Sequence, residues 1–318
     1  MRRLWGLGLI ALIAGLAAFW QLTAPRAMEA VAIDAVATAA AYKLDVKNGE
    51  RMFNAGGCAS CHAAPDGGKC DNPHYTDHTR LGGRRCLKTP FGTFNVPNIS
   101  SDKADGIGLW TPVQFVNALT RGVSPTGEHY YPAFPFTSYQ RVTIPDALDL
   151  RAYLATLPAV AGKAPPHDLP LVLRWRRLLG GWKLLNFDGA PFTLDTKQSA
   201  EWNRGAYLVE GPGHCGECHT PRDPLGGPRR ALRLAGGPSP EGKGWVSNLT
   251  QAKAGLADWS KQDIASYLGT GFLPSGDVVG GAMVAVQDNI GRLPTADRLA
   301  IAEYLKSLPP IENPQPKP

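Results

Sequence analysis

The chain has 318 residues, 43% of them hydrophobic and 19% charged, with a net charge of +6. That length suits two domains of about 100–150 residues each, and 36 Gly with 28 Pro call for abundant loops and turns. The modest positive charge reads as a solubilising surface or as a docking face for an acidic partner, and gives no ground for a nucleic-acid partner.

At the N-terminus Met1-Arg2-Arg3 precedes an apolar run from Leu4 to about Leu22, with Trp5 and Trp20 near its ends as interface anchors. The run approaches the length of a spanning helix, about 20 residues, and exceeds a usual signal core. The following Thr23-Ala24-Pro25-Arg26-Ala27 is a poor cleavage site. Residues 1–27 are therefore expected to be an uncleaved signal anchor with Arg2 and Arg3 in the cytoplasm, a cleaved secretory signal being the alternative. Either way the rest is exported, to the periplasmic side of the cytoplasmic (inner) membrane, after a linker over 28–44.

A first unit is expected over 45–160. A short helix containing Gly49 runs into Cys58-Ala59-Ser60-Cys61-His62. This Cys-x-x-Cys-His pentad reads as a c-type haem attachment site: two thiols reach two vinyl groups of one porphyrin, and the adjacent His turns under the ring to the iron. A zinc knuckle or a redox dithiol is the competing reading. Cys70 and Cys86 follow in one long loop, and in an exported protein a disulfide between them is the leading reading, a thiolate ligand the alternative. Thr111 is placed to cap a helix starting at Pro112. Leu150, Leu154 and Leu157 give a last helix its buried stripe, Thr143 with Asp146 resembles a capping box, and Pro158 stops the helix.

Residues 161–200 form an interdomain segment in which Arg174, Arg176, Arg177 and Lys183 interleave with Trp and Leu. It reads as a linker packed between the units or as a basic amphipathic segment on a membrane or partner. A second unit over 201–310 repeats the first. Its pentad is Cys215-Gly216-Glu217-Cys218-His219, after a helix containing Gly205. A shuffled chain of this composition would hold roughly 0.0025 such pentads, so two are not chance. Asn98-Ile99 matches Asn248-Leu249, Trp110 matches Trp259 and Tyr153-Leu154 matches Tyr304-Leu305. Ser260 stands where Thr111 does, and Ile301, Leu305 and Leu308 repeat the last stripe before Pro309. The tail, 311–318, is Pro-rich and is expected to lack fixed structure from Pro310 on.

Two covalent haem c groups follow, with His62 and His219 as proximal iron ligands. Met/His ligation raises a haem potential, so the sixth ligands matter. Gly280-Gly281-Ala282-Met283 lies where a distal Met loop belongs, and Met283 is expected on the second iron. Aligning Gly122, Pro125 and Gly127 with Gly271, Pro274 and Gly276 sets Phe134 opposite Met283. Phe cannot ligate iron. His129, in the same distal loop, is the leading substitute on the first iron. An open or water-bound iron, His74, His78 or a Cys thiolate are the alternatives; His167 and His214 read as ordinary polar residues.

The segments Thr89-Pro90-Phe91-Gly92-Thr93-Phe94, Val96-Pro97-Asn98-Ile99-Ser100, Gly106-Ile107-Gly108-Leu109-Trp110 and Tyr131-Pro132-Ala133-Phe134-Pro135-Phe136 resemble the multihaem cytochrome c subunits of membrane-bound alcohol, aldehyde and gluconate dehydrogenases. Those carry three such units; this chain, similar over 45–310 to the shorter dihaem cytochromes c related to them, carries two. The resemblance implies an all-α fold: two tandem class I cytochrome c-like domains with loop-rich haem pockets, behind an N-terminal membrane-anchor helix. It implies electron transfer between a periplasmic dehydrogenase and the respiratory chain, with a quinone, a cytochrome c or a terminal oxidase as acceptor. In the three-haem subunits the Tyr-Pro-Ala-x-Pro segment supplies a Met, where this chain has Phe134. The alternative is a dihaem redox enzyme, peroxidase-like or thiosulfate-oxidising, with the first haem as substrate site.

Overall fold

The computed structural model describes residues 2–70, 74–240 and 244–315, without the side chains of residues 2–4 and 6. The expected cytoplasmic pair Arg2 and Arg3 thus falls outside the described side chains. Helix α1 (Arg2–Leu22) leaves its apolar side chains exposed along its length, from Leu7 through Leu16 to Leu22. Among the described residues no helix is long and apolar enough to cross a membrane, so the fold alone does not support the expected anchor. The stretch expected as a linker contains α2 (Ala30–Ala37), whose Ile33 is fully buried.

The first unit begins with α3 (Val46–Ala55), N-capped by the Asp45 carboxylate, and turns through Gly56-Gly57 into α4 (Cys58–His62). Gly57 sits at φ +54°, the left-handed region that a side chain disfavours. A hairpin of β1 (Cys86–Thr89) and β2 (Gly92–Asn95) follows. Helix α5 (Pro112–Arg121) carries the full capping box of Thr111 and Gln114. After the four-residue α6 (Phe136–Tyr139) comes α7 (Ile144–Thr156). Thr143 caps it, but the Asp146 carboxylate does not complete the expected box; it accepts instead from Asn48 Nδ2 and from the hydroxyl of Tyr207 in the second unit.

Between the units lie α8 (Leu171–Arg174) and α9 (Leu178–Asn186). The second unit repeats the order: α10 (Ala200–Glu210), α11 (Gly216–His219), a two-residue pair β3 (Gly237–Pro238) and β4 (Trp245–Val246), then α12 (Lys261–Thr270), α13 (Met283–Ile290) and α14 (Thr295–Lys306). Ser260 and Asp263 form the capping box of α12.

One helix crossing holds each unit, α3 on α7 in the first and α10 on α14 in the second. Both pass over a glycine. A Cβ on Gly49 would stand 2.1 Å from the Asp149 carbonyl oxygen, and one on Gly205 1.8 Å from that of Ala300. The buried stripes of α7 and α14 join those of α3 and α10 in one hydrophobic cluster running through both units. Each fully buried Phe or Leu in it contributes roughly 1.5–3 kcal/mol. The tail departs from expectation as far as Asn313. The amide of Ile311 donates to Thr250 Oγ1, its carbonyl accepts from Asn248 Nδ2, and Asn313 Nδ2 donates to Gly236 O.

Candidate haem sites

Both pentads stand at the exit of a helix that crosses its unit's last helix, so the crossing glycines fix where α4 and α11 begin. The His62 Nδ1–H donates to Pro97 O at 2.9 Å, and the His219 Nδ1–H to Ser247 O at 2.8 Å. Each bond selects one tautomer and leaves Nε2 with its lone pair, the form an iron takes. Burial pushes His62 down to about 4, against the Pro97 bond, and pushes His219 down as well. Both rings are neutral at neutral pH, as ligation requires. Burial pushes the Cys58 and Cys215 thiols up to about 12, helped by Cys61 on the one and by Glu210 on the other.

The two accepting carbonyls come from matched places, directly before Asn98 and Asn248. The Asn98 side chain accepts from Ser100 N–H and donates to Val160 O and Gly162 O; that of Asn248 accepts from Thr250 N–H and donates to Ile311 O. Each Asn ties the carbonyl loop to the chain beyond the unit's last helix. Sequence reasoning found these asparagines as repeat markers and missed this role.

On the distal side the copies share a small hairpin, Val123 paired with His129 and Phe272 with Val278. Val278, the match of His129, is 57% exposed. Phe134 and Met283, also matched, both pack on the core; Met283 opens α13, and Phe134 stacks edge-on with Tyr139, whose hydroxyl donates to Gly56 O beside Cys58. The structure does not bring His129 to that place. Its Nε2–H donates to Thr23 O at 2.9 Å, at the end of α1, and the ring is 2% exposed. Burial, with Lys183 and Arg177 nearby, keeps it neutral. The sequence signal was its loop position, which the hairpin turns away.

Cys70 and Cys86 form a disulfide, so neither is available as the thiolate ligand weighed for the first iron. His74 is exposed and His78 half-buried in that loop. His167 accepts from the Asn95 N–H. Met52 is fully buried on α3, and Met28 is clamped through its backbone by the Asn117 amide on α5.

The units also grip each other through the pentads. Ser60 Oγ donates to Ala285 O at 3.3 Å and accepts from Asn289 Nδ2 at 2.9 Å, both on α13. Glu217 accepts from Thr137 Oγ1 and Ser138 Oγ on α6, at 2.6 and 2.8 Å, and pairs with Arg222. A middle residue of each pentad thus holds the distal segment of the other unit. Paired thiols followed by an imidazole held through Nδ1 fit a covalently attached haem at both places.

A curated dihaem c-type cytochrome of Cereibacter sphaeroides is 48% identical over 98% of this chain and all of its own length. The fructose dehydrogenase cytochrome subunit of Gluconobacter japonicus is 35% identical over 85% of the chain and 54% of its own length. The gluconate 2-dehydrogenase cytochrome c subunit of Pantoea cypripedii is 34% identical over 83% and 59%. The chain thus spans little more than half of those two subunits. No protein-family model matches it.

Proposed function

The chain belongs to the dihaem c-type cytochromes, and from that premise we propose that it passes electrons from a dehydrogenase to the respiratory chain on the periplasmic side of the inner membrane. It is an electron-transfer cytochrome with two covalently bound haem c groups, and its relatives include cytochrome subunits of dehydrogenases. Haem iron supplies reversible one-electron chemistry. Cys58 and Cys61 hold one group with His62 beneath it, and Cys215 and Cys218 the other with His219. Met283 completes the second site; Phe134 offers no ligand to the first. The observation that carries the reading is the pair of Nδ1–H bonds from His62 and His219, which set both imidazoles for iron at matched places.

Helix α1 holds the chain at the membrane. Its support is the row of apolar side chains that the fold leaves exposed along the helix, from Leu7 to Leu22. The donor is a periplasmic or membrane-bound dehydrogenase, and the acceptor a quinone, a cytochrome c or a terminal oxidase.

One observation favours the enzyme alternative: Phe134 in the place of Met leaves a distal position without a protein ligand, as a peroxidase-like site would have. The test uses the purified, haem-loaded chain. Its absorption should show reduction by a dehydrogenase with its substrate and reoxidation by oxidase-containing membranes, and its mass should show two haems. Turnover of added peroxide or thiosulfate with no such exchange would overturn the carrier reading.

A further inference from the structure

The end of α1 is seated in the interdomain segment. The His129 Nε2–H donates to Thr23 O and the Arg177 guanidinium to Trp20 O, so a neutral imidazole and one cation meet carbonyls at the end of a helix whose last turn has no basic residue of its own. The Arg177 guanidinium also lies 4.0 Å above the Trp20 ring. Phe19 and Trp175 are ring neighbours at 6.4 Å. Helix α9 crosses so closely at Gly180 that a Cβ there would stand 2.2 Å from Thr23 O. This seat fixes the direction in which α1 leaves the body of the protein.

Around the seat the surface is apolar. Leu171 is 82% exposed, Val172 63% and Trp175 54%, and Trp175 joins them to α1 as the ring neighbour of Phe19. Arg174 is exposed among them. Apolar and Trp side chains with an arginine at their margin are the composition of a segment lying in a bilayer interface, where the rings sit at headgroup level and the guanidinium meets phosphate.

We propose that residues 171–175 form a second lipid contact, lying in the anionic headgroup layer beside the point where α1 enters the bilayer. The contact sets the tilt of both haem units above the membrane. The occupant is lipid because Trp175 joins the patch to the apolar side chains of α1 through Phe19, and Arg174 carries the charge that anionic headgroups attract. The inference rests on the reading of α1 as the anchor.

The test uses the full-length, haem-loaded protein in vesicles of phosphatidylcholine and phosphatidylglycerol. Leu171→Cys and Val278→Cys each add one thiol at a well-exposed place; the four pentad sulfurs are bonded to haem and the other two to each other. Labelling by a charged, membrane-impermeant maleimide should be at least tenfold slower at position 171 than at 278, and Arg174→Glu should narrow that gap. Flotation is run on the same samples. Vesicles that float with the protein while both thiols label at equal rates overturn this inference and leave the anchor standing. A position-171 thiol protected only when a dehydrogenase is added also overturns it, giving the patch to a protein partner. A protein that fails to float overturns the anchor, and the inference with it.

Discussion

The His214 Nε2–H donates to the carbonyl oxygen of Gly56 at 3.2 Å, so the residue preceding the second pentad is bonded two residues ahead of the first. Tyr139 donates to the same oxygen and stacks edge-on with His214 at 5.5 Å. The two attachment segments therefore meet directly, with one tyrosine against both.

Replacing Met283 with Ala should abolish the far-red thioether–iron charge-transfer band and lower one of the two potentials, since loss of Met/His ligation removes what raises it. Phe134→Met should do the reverse at the first site, adding a second such band and raising the other potential. Persistence of the band in Met283→Ala would move the thioether ligand to Met28 or Met52.

His129→Ala should leave the electron paramagnetic resonance of both haems unchanged while loosening the seat of α1. Removing a buried donor leaves Thr23 O unpaired, a cost of about 1–3 kcal/mol, and limited proteolysis between Ala24 and Met28 should accelerate. A low-spin signal turning high-spin would return His129 to the first iron.

Lys183 donates to Arg121 O and Gly122 O at the end of α5 and faces the Phe136 ring at 4.5 Å. Burial pushes it down to about 7, although those carbonyls and the ring favour the ammonium and act against the shift. Between pH 7 and about 10.4 the unfolded chain binds the proton more than the folded one. Stability should therefore rise with pH across that window, by at most about 1.4 kcal/mol per unit, and flatten below 7. Denaturant titrations at several pH values check it: in Lys183→Met this slope should be missing.

Gly205→Ala should cost several kcal/mol, more than the 1–3 kcal/mol typical of an overpacked core (about 3 or more expected), because the clash is with the backbone of Ala300 rather than with a movable side chain. Gly49→Ala should behave alike in the first unit. A drop in the thermal midpoint of less than about 2 °C, against the roughly 2–4 °C per kcal/mol of chains of about 150–250 residues, would show that the crossings can open.

What could be read along the chain was whatever one segment reveals about itself. The pentads, the offset repeat, the caps Thr111 and Ser260, the stripes through Leu154 and Leu305 and the crossing glycines are local patterns. The disulfide of Cys70 and Cys86 followed from counting. The rest needed the third dimension. Nothing near Ser60 announces Asn289, some 229 residues away, and nothing near His129 announces Thr23, because periodicity tells which face is buried and not against what. Asp146 shows the same limit: its spacing fits a capping box, and a tyrosine from the other unit takes its carboxylate.

The reciprocal grip of Ser60 on α13 and Glu217 on α6 also bears on descent. After a duplication, two copies remain interchangeable only while their contact faces stay alike. Here the matched positions have diverged to a hydroxyl and a carboxylate, each suited to a different helix. Transplanting the second unit into the place of the first would set Glu217 against the Ala285 carbonyl, oxygen against oxygen with no proton between them. Exchanging one unit alone with that of a related cytochrome should break this grip, and exchanging both together should keep it.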